Sequence, residues 1–164
     1  ELLQDPYGIT FWPEFKGRDG CRTPMPWTGE APNAGFTSGT PWLPVAEPHL
    51  AANVEAQDKD PDSMLNFQRR FIAWRKTMPQ LTRGEIAFFD APEPVLALRR
   101  DGEGMDGVLA AFNLSNRELS YDWPESAAAQ ALDAHGLPGR AAGGKLTLPP
   151  YGAWFGSIPA GAGN

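Results

Sequence analysis

The first 50 residues constrain the fold more than any other part of the chain. Pro and Gly recur every few residues between Glu1 and Leu50, and no stretch of a dozen residues there keeps a helical or strand period. The segment nevertheless holds seven large aromatic residues: Tyr7, Phe11, Trp12, Phe15, Trp27, Phe36 and Trp42. A long irregular segment of this kind is typical of a functional loop. So many rings are not left in water, so we expect them to pack against a large neighbouring surface.

One amphipathic helix follows this segment. The sequence predicts it from Asp60 to Met78, with Asp60 as the N-cap, Pro61 in the first helical position and Pro79 at its end. Its apolar residues recur at helical spacing: Met64, Phe67, Phe71, Trp74 and Met78. Such a broad apolar stripe needs a partner surface as large as a domain wall. Before it, only a short helical turn is expected, over residues 53–57.

From Gly84 onward the hydrophobic period changes to two. Turn signals separate seven short candidate strands, over residues 85–89, 95–100, 108–114, 119–123, 130–133, 146–148 and 153–158. Six or seven short strands with little between them favour an antiparallel β-sandwich. The chain therefore reads as an aromatic loop, one helix and an all-β domain.

Charge and composition exclude several classes of function. The chain has 14 Lys and Arg against 20 Asp and Glu, a net charge of −6, which argues against nucleic-acid or anionic-membrane binding. No apolar run approaches the roughly 20 residues that a membrane span needs. Cys21 is the single cysteine and there are two histidines, so an internal disulfide is excluded and a Cys/His zinc site is not expected. We therefore expect no cofactor or metal in this chain, and a cytoplasmic location.

Two motifs connect the sequence to a known family. Residues 17–27 read GRDGCRTPMPW and residues 35–42 read GFTSGTPW. Together they resemble segments of the bacterial α-glucosidase and oligo-1,6-glucosidase branch of glycoside hydrolase family 13, the α-amylase family. The resemblance implies the C-terminal third of such an enzyme. Residues 1–80 would then be the end of the catalytic (β/α)8 barrel, comprising the loop after strand eight and the last barrel helix, and residues 81–164 a C-terminal antiparallel β-sandwich domain. The helix would pack on the outer wall of the barrel.

The resemblance also implies a reaction, namely retaining hydrolysis of terminal α-linked glucose from the non-reducing end of an oligosaccharide or disaccharide. The catalytic carboxylates of the family lie on upstream strands whose motifs are absent here. No catalytic residue is therefore assigned in this chain, and Asp5, Glu14, Asp19 and Glu30 are not promoted to that role. Any bound cation would lie in the same upstream barrel segment, which is the implied partner of this chain beside its α-glucoside substrate.

One substrate-binding residue is implied by the resemblance. Arg18 matches the arginine of the family's G-R-D segment, which forms the floor of the pocket for the terminal glucose together with an upstream aspartate. The chemistry suits the role, because a guanidinium held by a carboxylate donates hydrogen bonds in fixed directions to sugar hydroxyls. The alternative is that Arg18 only braces the loop by pairing with Asp19 or another acid.

Five further residues near the motifs are weighed. Phe11, Trp12 and Phe36 are candidates for a stacking wall behind a second glucose unit, since the C–H faces of sugars lie well on aromatic rings, although each is also a candidate loop anchor. Asp19 is interpreted as a bracing residue of the loop. Arg22 is interpreted as a buried arginine that bonds loop carbonyl groups.

Two other functions remain open. The first alternative is a non-catalytic carbohydrate-binding or interaction module that has kept the β-domain and the motif loop. The second is part of a transglycosylating or isomerising relative, because this segment does not encode the choice between water and a sugar acceptor. Linkage preference depends on earlier loops of the barrel.

Overall fold

A computed structural model describes residues 2–30 and 32–161. They form two compact units, of which the first ends at Gln68 and the second begins at Arg69. None of the helices in these described ranges is long and apolar enough to cross a bilayer.

The first unit consists of short helices joined by turns. Its elements are α1 (Pro6–Thr10), a 3₁₀ turn at Asp19–Cys21, a turn at Pro32–Gly35 in which Asn33 and Ala34 have positive φ, α2 (Glu47–Leu50), α3 (Val54–Lys59) and the beginning of α4 (Met64–Lys76). Side chains cap α1 and α3: Asp5 accepts a hydrogen bond from the Tyr7 amide at the start of α1, and Asn53 accepts one from the Ala56 amide at the start of α3. The helical turn expected over 53–57 is thus confirmed as part of α3.

Helix α4 begins later than its sequence predicts. The predicted N-cap, Asp60, instead ends α3, with φ −98° and ψ 109°, and its Oδ1 accepts a hydrogen bond from the Asp62 amide in a local turn. The cap of α4 is Ser63, whose Oγ accepts a hydrogen bond from the Asn66 amide at 3.2 Å. The prediction of a start at Asp60 was wrong because Asp60 and Ser63 are both competent caps, and the sequence does not rank them.

The end of the helix also differs from the prediction. Helix α4 ends at Lys76, and Pro79 does not merely terminate it but occupies the first turn of another short helix, α5 (Pro79–Arg83). Pro lacks a backbone N–H and has a fixed φ, which suits a first helical turn as well as it suits a break.

The second unit is built on two antiparallel sheets. The strands are β1 (Glu85–Phe88), β2 (Val95–Asp101), β3 (Gly107–Asn113), β4 (Leu119–Asp122), β5 (Gln130–Ala131), β6 (Arg140–Ala142), β7 (Lys145–Leu148) and β8 (Ala153–Ile158). One sheet has the order β1-β2-β3-β8-β5 and the other β4-β7-β6, and every pairing is antiparallel. The predicted antiparallel β-domain is confirmed.

Strand β6 was missed by sequence analysis. It is a three-residue strand joined to β7 by Gly143 and Gly144, both with positive φ, as a tight hairpin turn requires. Gly143 and Gly144 are recognisable as a turn, but Arg140–Ala142 is too short to show a period. Strand β5 is correspondingly shorter than predicted, ending at Ala131.

Two apolar clusters hold the second unit together, one on each face of the five-stranded sheet. The cluster between the two sheets contains Ala97, Leu109, Ala111, Trp123, Leu146, Leu148, Trp154 and Ile158. The cluster on the opposite face contains Leu81, Val108, Ala110, Ala153 and Phe155. Both are nearly inaccessible to water, so this unit has a hydrophobic core of its own.

The C-terminal half of α4 packs on this β unit. Phe71, Trp74 and Met78 lie against the second cluster, with the rings of Trp74 and Phe155 5.0 Å apart. The sheet beside the helix thus covers part of the apolar stripe at these three residues, and packing of the helix on the outer wall of a barrel stays a prediction. Met64, at the other end of the stripe, is 65% exposed.

Candidate functional site

Arg18 is held by Asp5, which lies 13 residues earlier. Arg18 Nε donates to Asp5 Oδ2 at 2.8 Å and Nη2 lies 3.4 Å from Oδ1, so the guanidinium faces both carboxylate oxygens. The backbone amide of Arg18 also donates to Oδ2, at 2.9 Å. Asp5 is completely buried, whereas the Arg18 side chain is 55% exposed. The arrangement is a guanidinium anchored by a buried carboxylate, on a side chain of which more than half is exposed.

Asp19, the residue after Arg18, binds the backbone of the segment that contains Asp5. Its Oδ2 accepts hydrogen bonds from the backbone amides of Gln4 at 2.6 Å and Asp5 at 3.0 Å. Two carboxylates therefore join residues 4–5 to residues 18–19 through hydrogen bonds, and we call this arrangement the cross-link. Asp5 binds Arg18, and Asp19 binds the backbone of Gln4 and Asp5. The acid that braces Arg18 is Asp5 and not Asp19, which acts on backbone amides instead.

Two glycines allow this cross-link to form. A Cβ on Gly8 would lie 2.8 Å from the Lys16 carbonyl oxygen, and one on Gly17 would lie 3.0 Å from the Asp5 Cβ. Gly17 also has φ +70°, a conformation that L side chains rarely adopt. The first glycine of the GRDGCRTPMPW motif thus lets α1 and the Arg18 turn approach closely enough for the ion pair.

Tyr7 joins Arg18 to one of the candidate stacking residues. The Arg18 guanidinium lies 5.9 Å from the centre of the Tyr7 ring, and the rings of Tyr7 and Phe11 are stacked with centres 6.3 Å apart. Sequence analysis counted Tyr7 only among the loop aromatics. Its spacing of four residues from Phe11 on a helix is the signal that could have paired the two rings.

The other two candidate stacking residues make different contacts. The Trp12 ring lies under the Lys16 ammonium at 5.9 Å, and Phe36 follows the Pro32–Gly35 turn, where its amide donates to the Asn33 carbonyl. About half of the surface of Phe11, Trp12 and Phe36 is exposed. The contacts that join Arg18, Tyr7 and Phe11 do not include Trp12 or Phe36.

Arg22 and Cys21 complete the turn. Arg22 was expected to be buried among loop carbonyls, but its side chain is 37% exposed and Nη1 lies 4.0 Å from Asp5 Oδ2. That expectation was wrong because the buried Asp5 carboxylate attracts a second guanidinium. The thiol of Cys21 is exposed and donates to the Arg18 carbonyl at 2.9 Å.

The electrostatics of the cluster favour binding over proton transfer. The hydrogen bond from the Arg18 side chain holds the pKa of Asp5 well below its ordinary value of 3.8, assisted by the Arg18 and Tyr7 amides and opposed by burial. The same hydrogen bond raises the pKa of Arg18. Both groups stay charged near neutral pH, so Asp5 is poorly suited to act as a general acid or base there.

A separate cleft of about 580 Å³ lies in the first unit. Residues on its walls include Gln4, Asn33, Pro41, Trp42 and Val45. Asn33 shapes it by donating from Nδ2 to the carbonyls of Thr37 and Gly39, within the GFTSGTPW motif. Gln4, which lines the cleft, is the residue before Asp5, and its amide donates to Asp19. Within residues 2–30 and 32–161, no group of three His, Cys, Asp or Glu side chains is placed to hold a metal ion.

Comparison with known proteins relates both motifs to sugar-processing enzymes. The family model for the α-amylase catalytic domain matches residues 3–84. The chain is 43% identical over 155 residues to a protein named "Probable alpha-glucosidase" from Rhizobium meliloti (strain 1021). The aligned region covers 94% of this chain and 28% of that protein. It is 38% identical over 111 residues to "Probable oligo-1,6-glucosidase 2" of Bacillus subtilis (strain 168), covering 68% of this chain and 20% of that protein.

Solved structures agree with these relatives. The α-glucosyl transfer enzyme XgtA is 51% identical, with a TM-score of 0.88 over 96% of this chain and 29% of that one. A variant of MutB, in a complex with its substrate sucrose, is 30% identical, with a TM-score of 0.70 over 85% of this chain and 26% of that one. The chain thus spans less than a third of the length of each of these four relatives.

Proposed function

The chain belongs to glycoside hydrolase family 13, the α-amylase family, and we propose that it is the C-terminal portion of a retaining α-glucosidase. The complete enzyme would hydrolyse terminal α-linked glucose from the non-reducing end of oligosaccharides. The observation that carries the proposal furthest is the guanidinium of Arg18, fixed at its base by a buried carboxylate and exposed at its other edge.

The proposed contribution of this chain is to position the sugar. In a retaining glycosidase one carboxylate attacks the anomeric carbon, and a second carboxyl protonates the leaving oxygen and then activates water. We place both groups, and any bound cation, in the upstream part of the enzyme. Arg18 would donate hydrogen bonds to hydroxyls of the terminal glucose and so keep its anomeric carbon aligned for attack.

The aromatic residues extend the proposed binding surface. The Tyr7 ring contacts Arg18 and stacks on Phe11. Among the three candidates, Phe11 is therefore the best placed to stack on a neighbouring glucose unit. Trp12 and Phe36 remain candidates for the same wall. We propose that residues 1–80 are the C-terminal part of the catalytic barrel and that residues 81–164 are a stabilising β-domain.

The test uses the full-length enzyme, including the sequence upstream of this chain. Arg18→Ala should lower kcat/KM for an α-glucoside such as maltose about a hundredfold, because a charged hydrogen bond to the substrate is lost. Arg18→Lys should recover little of it, since lysine keeps the charge but lacks the planar fork. Arg117→Ala, an exposed arginine of the β unit, is the matched control and should leave kcat/KM unchanged. Unchanged kcat/KM in Arg18→Ala would remove Arg18 from the site.

A glucosyl-transferring or isomerising reaction is the second candidate. XgtA is named as an α-glucosyl transfer enzyme and MutB takes sucrose as its substrate. Product analysis distinguishes the reactions, because a hydrolase releases free glucose from maltose or sucrose, whereas a transferase or isomerase forms a new disaccharide or oligosaccharide. Free glucose as the main product supports the hydrolase.

A carbohydrate-binding module is the third candidate. The second unit contains a cleft of about 710 Å³ whose walls include Phe89, Met105, Glu125 and the ion pair between Arg99 and Asp101. Aromatic and charged side chains around a cleft are compatible with a polar ligand such as a sugar. Maltose binding to this chain by calorimetry, in the absence of any turnover by the full-length protein, would favour the module.

The cytoplasmic location and the absence of a cofactor in this chain stay predictions.

A further inference from the structure

From the geometry of the cross-link we propose that Asp5 is the positioning residue of Arg18: its carboxylate sets the plane of the guanidinium that meets the sugar. The inference rests on the proposed function, because it concerns how the sugar-binding arginine is held. It assigns a role to a residue outside the GRDGCRTPMPW motif.

The contacts of Asp5 are directed at Arg18 from several sides. Oδ2 accepts hydrogen bonds from the Arg18 amide and from Nε, and Oδ1 lies 3.4 Å from Nη2. The backbone amide and the guanidinium of Arg18 therefore bind the same carboxylate oxygen of Asp5. These two contacts fix the position of the guanidinium relative to its own backbone. A long flexible side chain would otherwise lose rotamer freedom when it binds a ligand.

The occupied edge of the guanidinium determines which donors remain. A guanidinium has five N–H donors, and the Asp5 contacts use the one on Nε and one on Nη2. The two donors on Nη1 and the second on Nη2 are left on the edge away from Asp5. The Tyr7 ring adds a contact 5.9 Å from the guanidinium carbon. A bidentate carboxylate and a ring contact together fix the directions in which those three donors point.

The base of this arrangement is itself held rigidly. Asp5 is inaccessible to water, and Asp19, which is 6% exposed, accepts hydrogen bonds from the Gln4 and Asp5 amides. Asp5 also caps α1 through the Tyr7 amide. Its ionised state is secure, because the Arg18 side chain lowers its pKa. Asp5 therefore presents a fixed and permanently charged anchor.

The first experiment is a double-mutant cycle in the full-length enzyme. Asp5→Asn keeps the size and the oxygen that caps α1, but it replaces one acceptor by a donor that opposes the guanidinium. We expect kcat/KM for maltose to fall at least about tenfold, given the loss of a charged hydrogen bond. In an Arg18→Ala background the same change should cost little, because its effect acts through Arg18. Asp62→Asn, an exposed carboxylate of the first unit, is the matched control and should have no effect.

A second experiment avoids any loss of folding in Asp5→Asn. In full-length Arg18→Ala, the vacated Asp5 carboxylate should bind free guanidinium, so millimolar guanidinium chloride should restore part of the lost kcat/KM. Methylammonium chloride at the same concentration has the charge without the fork and should not.

The outcomes separate this inference from the proposed function. Absence of guanidinium rescue in folded Arg18→Ala, or additive losses in the double-mutant cycle, would overturn the role of Asp5 while Arg18 and the glucosidase activity stand. A wild-type full-length protein that does not turn over α-glucosides would instead overturn the proposed function. Selective rescue together with non-additive losses supports both.

Discussion

The two units of the chain are stabilised by different means. Among the described residues, two buried apolar side chains, Ala34 and Leu43, lie in the first unit and thirteen in the second. The first unit instead buries polar groups that bind the backbone, namely Asp5, Asp19, Asn53 and Ser63, and exposes most of its large aromatic side chains. The second unit closes two sheets around its own core.

An ordered segment is therefore not always one that is stable on its own. Buried hydrogen bonds fix the geometry of the first unit, but each contributes only about 0.5–1.5 kcal/mol net. Burial of apolar surface contributes most of the stability of folded domains, and the first unit leaves that surface exposed. Its arrangement suits a segment that is completed by a further apolar surface, as the proposed barrel would provide.

The largest effect is expected when the two units are separated. Residues 69–164 should fold cooperatively on their own, whereas residues 1–68 should not, because their aromatic side chains find no core. Circular dichroism melts and dye binding of the two pieces check this. A cooperative, dye-free transition in the piece 1–68 would show that the first unit is stable without a further apolar surface.

A core truncation should have the next largest effect. Leu109 is completely buried between the sheets, so Leu109→Ala should lower the free energy of unfolding of the chain by about 2–5 kcal/mol. Leu114→Ala, an exposed leucine beside the same strand, should change it by less than about 0.5 kcal/mol. Urea denaturation measures both, and equal effects would show that the core between the sheets is not the source of stability.

Loss of a polar contact in the first unit should cost less. Ser63→Ala removes the cap of α4 and the hydrogen bond that Ser63 Oγ donates to the Gln57 carbonyl at 2.6 Å, for a cost of about 1 kcal/mol. Hydrogen exchange should show faster opening at the Asn66 amide than in the parent chain. The exposed Ser38→Ala serves as control, and unaltered protection at Asn66 would contradict the assignment of Ser63 as the cap.

The smallest effect is a pH dependence confined to the second unit. The His135 ring packs beside the rings of Trp74 and Phe155, with centres 5.2 and 4.8 Å away, and burial lowers the pKa of His135 below the ordinary 6.5. The unfolded chain then binds the proton more tightly than the folded one. The stability contribution is therefore complete above pH 6.5 and declines as the pH falls below that value toward the folded pKa.

Melting temperatures between pH 5 and 8 test this dependence. His135→Asn should flatten the decline below pH 6.5, whereas the same change at the exposed His49 should leave it as in the parent chain. A decline of equal size in His135→Asn would assign the pH dependence to other groups.

Sequence reasoning succeeded where a structural signal is local and repeated. The strands near residues 95–100, 108–114 and 153–158 were recovered because each is a short apolar run bounded by turn residues, and two of them, β3 and β8, are buried on both faces of the sheet. It failed at boundaries and short elements: the start of α4, helix α5 and strand β6 depend on which of several competent caps and turns the surrounding structure uses. The same limit applies to the site, since Arg18 was singled out from its motif, whereas Asp5 and Tyr7 were not assigned functional roles.

The order of an irregular aromatic segment, a helix and an antiparallel β-domain can be read from the amino-acid sequence alone, and two motifs in it indicate the family. These properties follow from periodicity, turn residues and local composition, which each residue carries with it. The folded structure was needed to show that Asp5 holds Arg18, that Asp19 binds the backbone of Gln4 and Asp5, and that α4 packs on the sheet beside it. Those contacts join residues far apart in the chain. They depend on the close approach of Gly8 and Gly17 and on which apolar surface is nearest, and no local pattern encodes either.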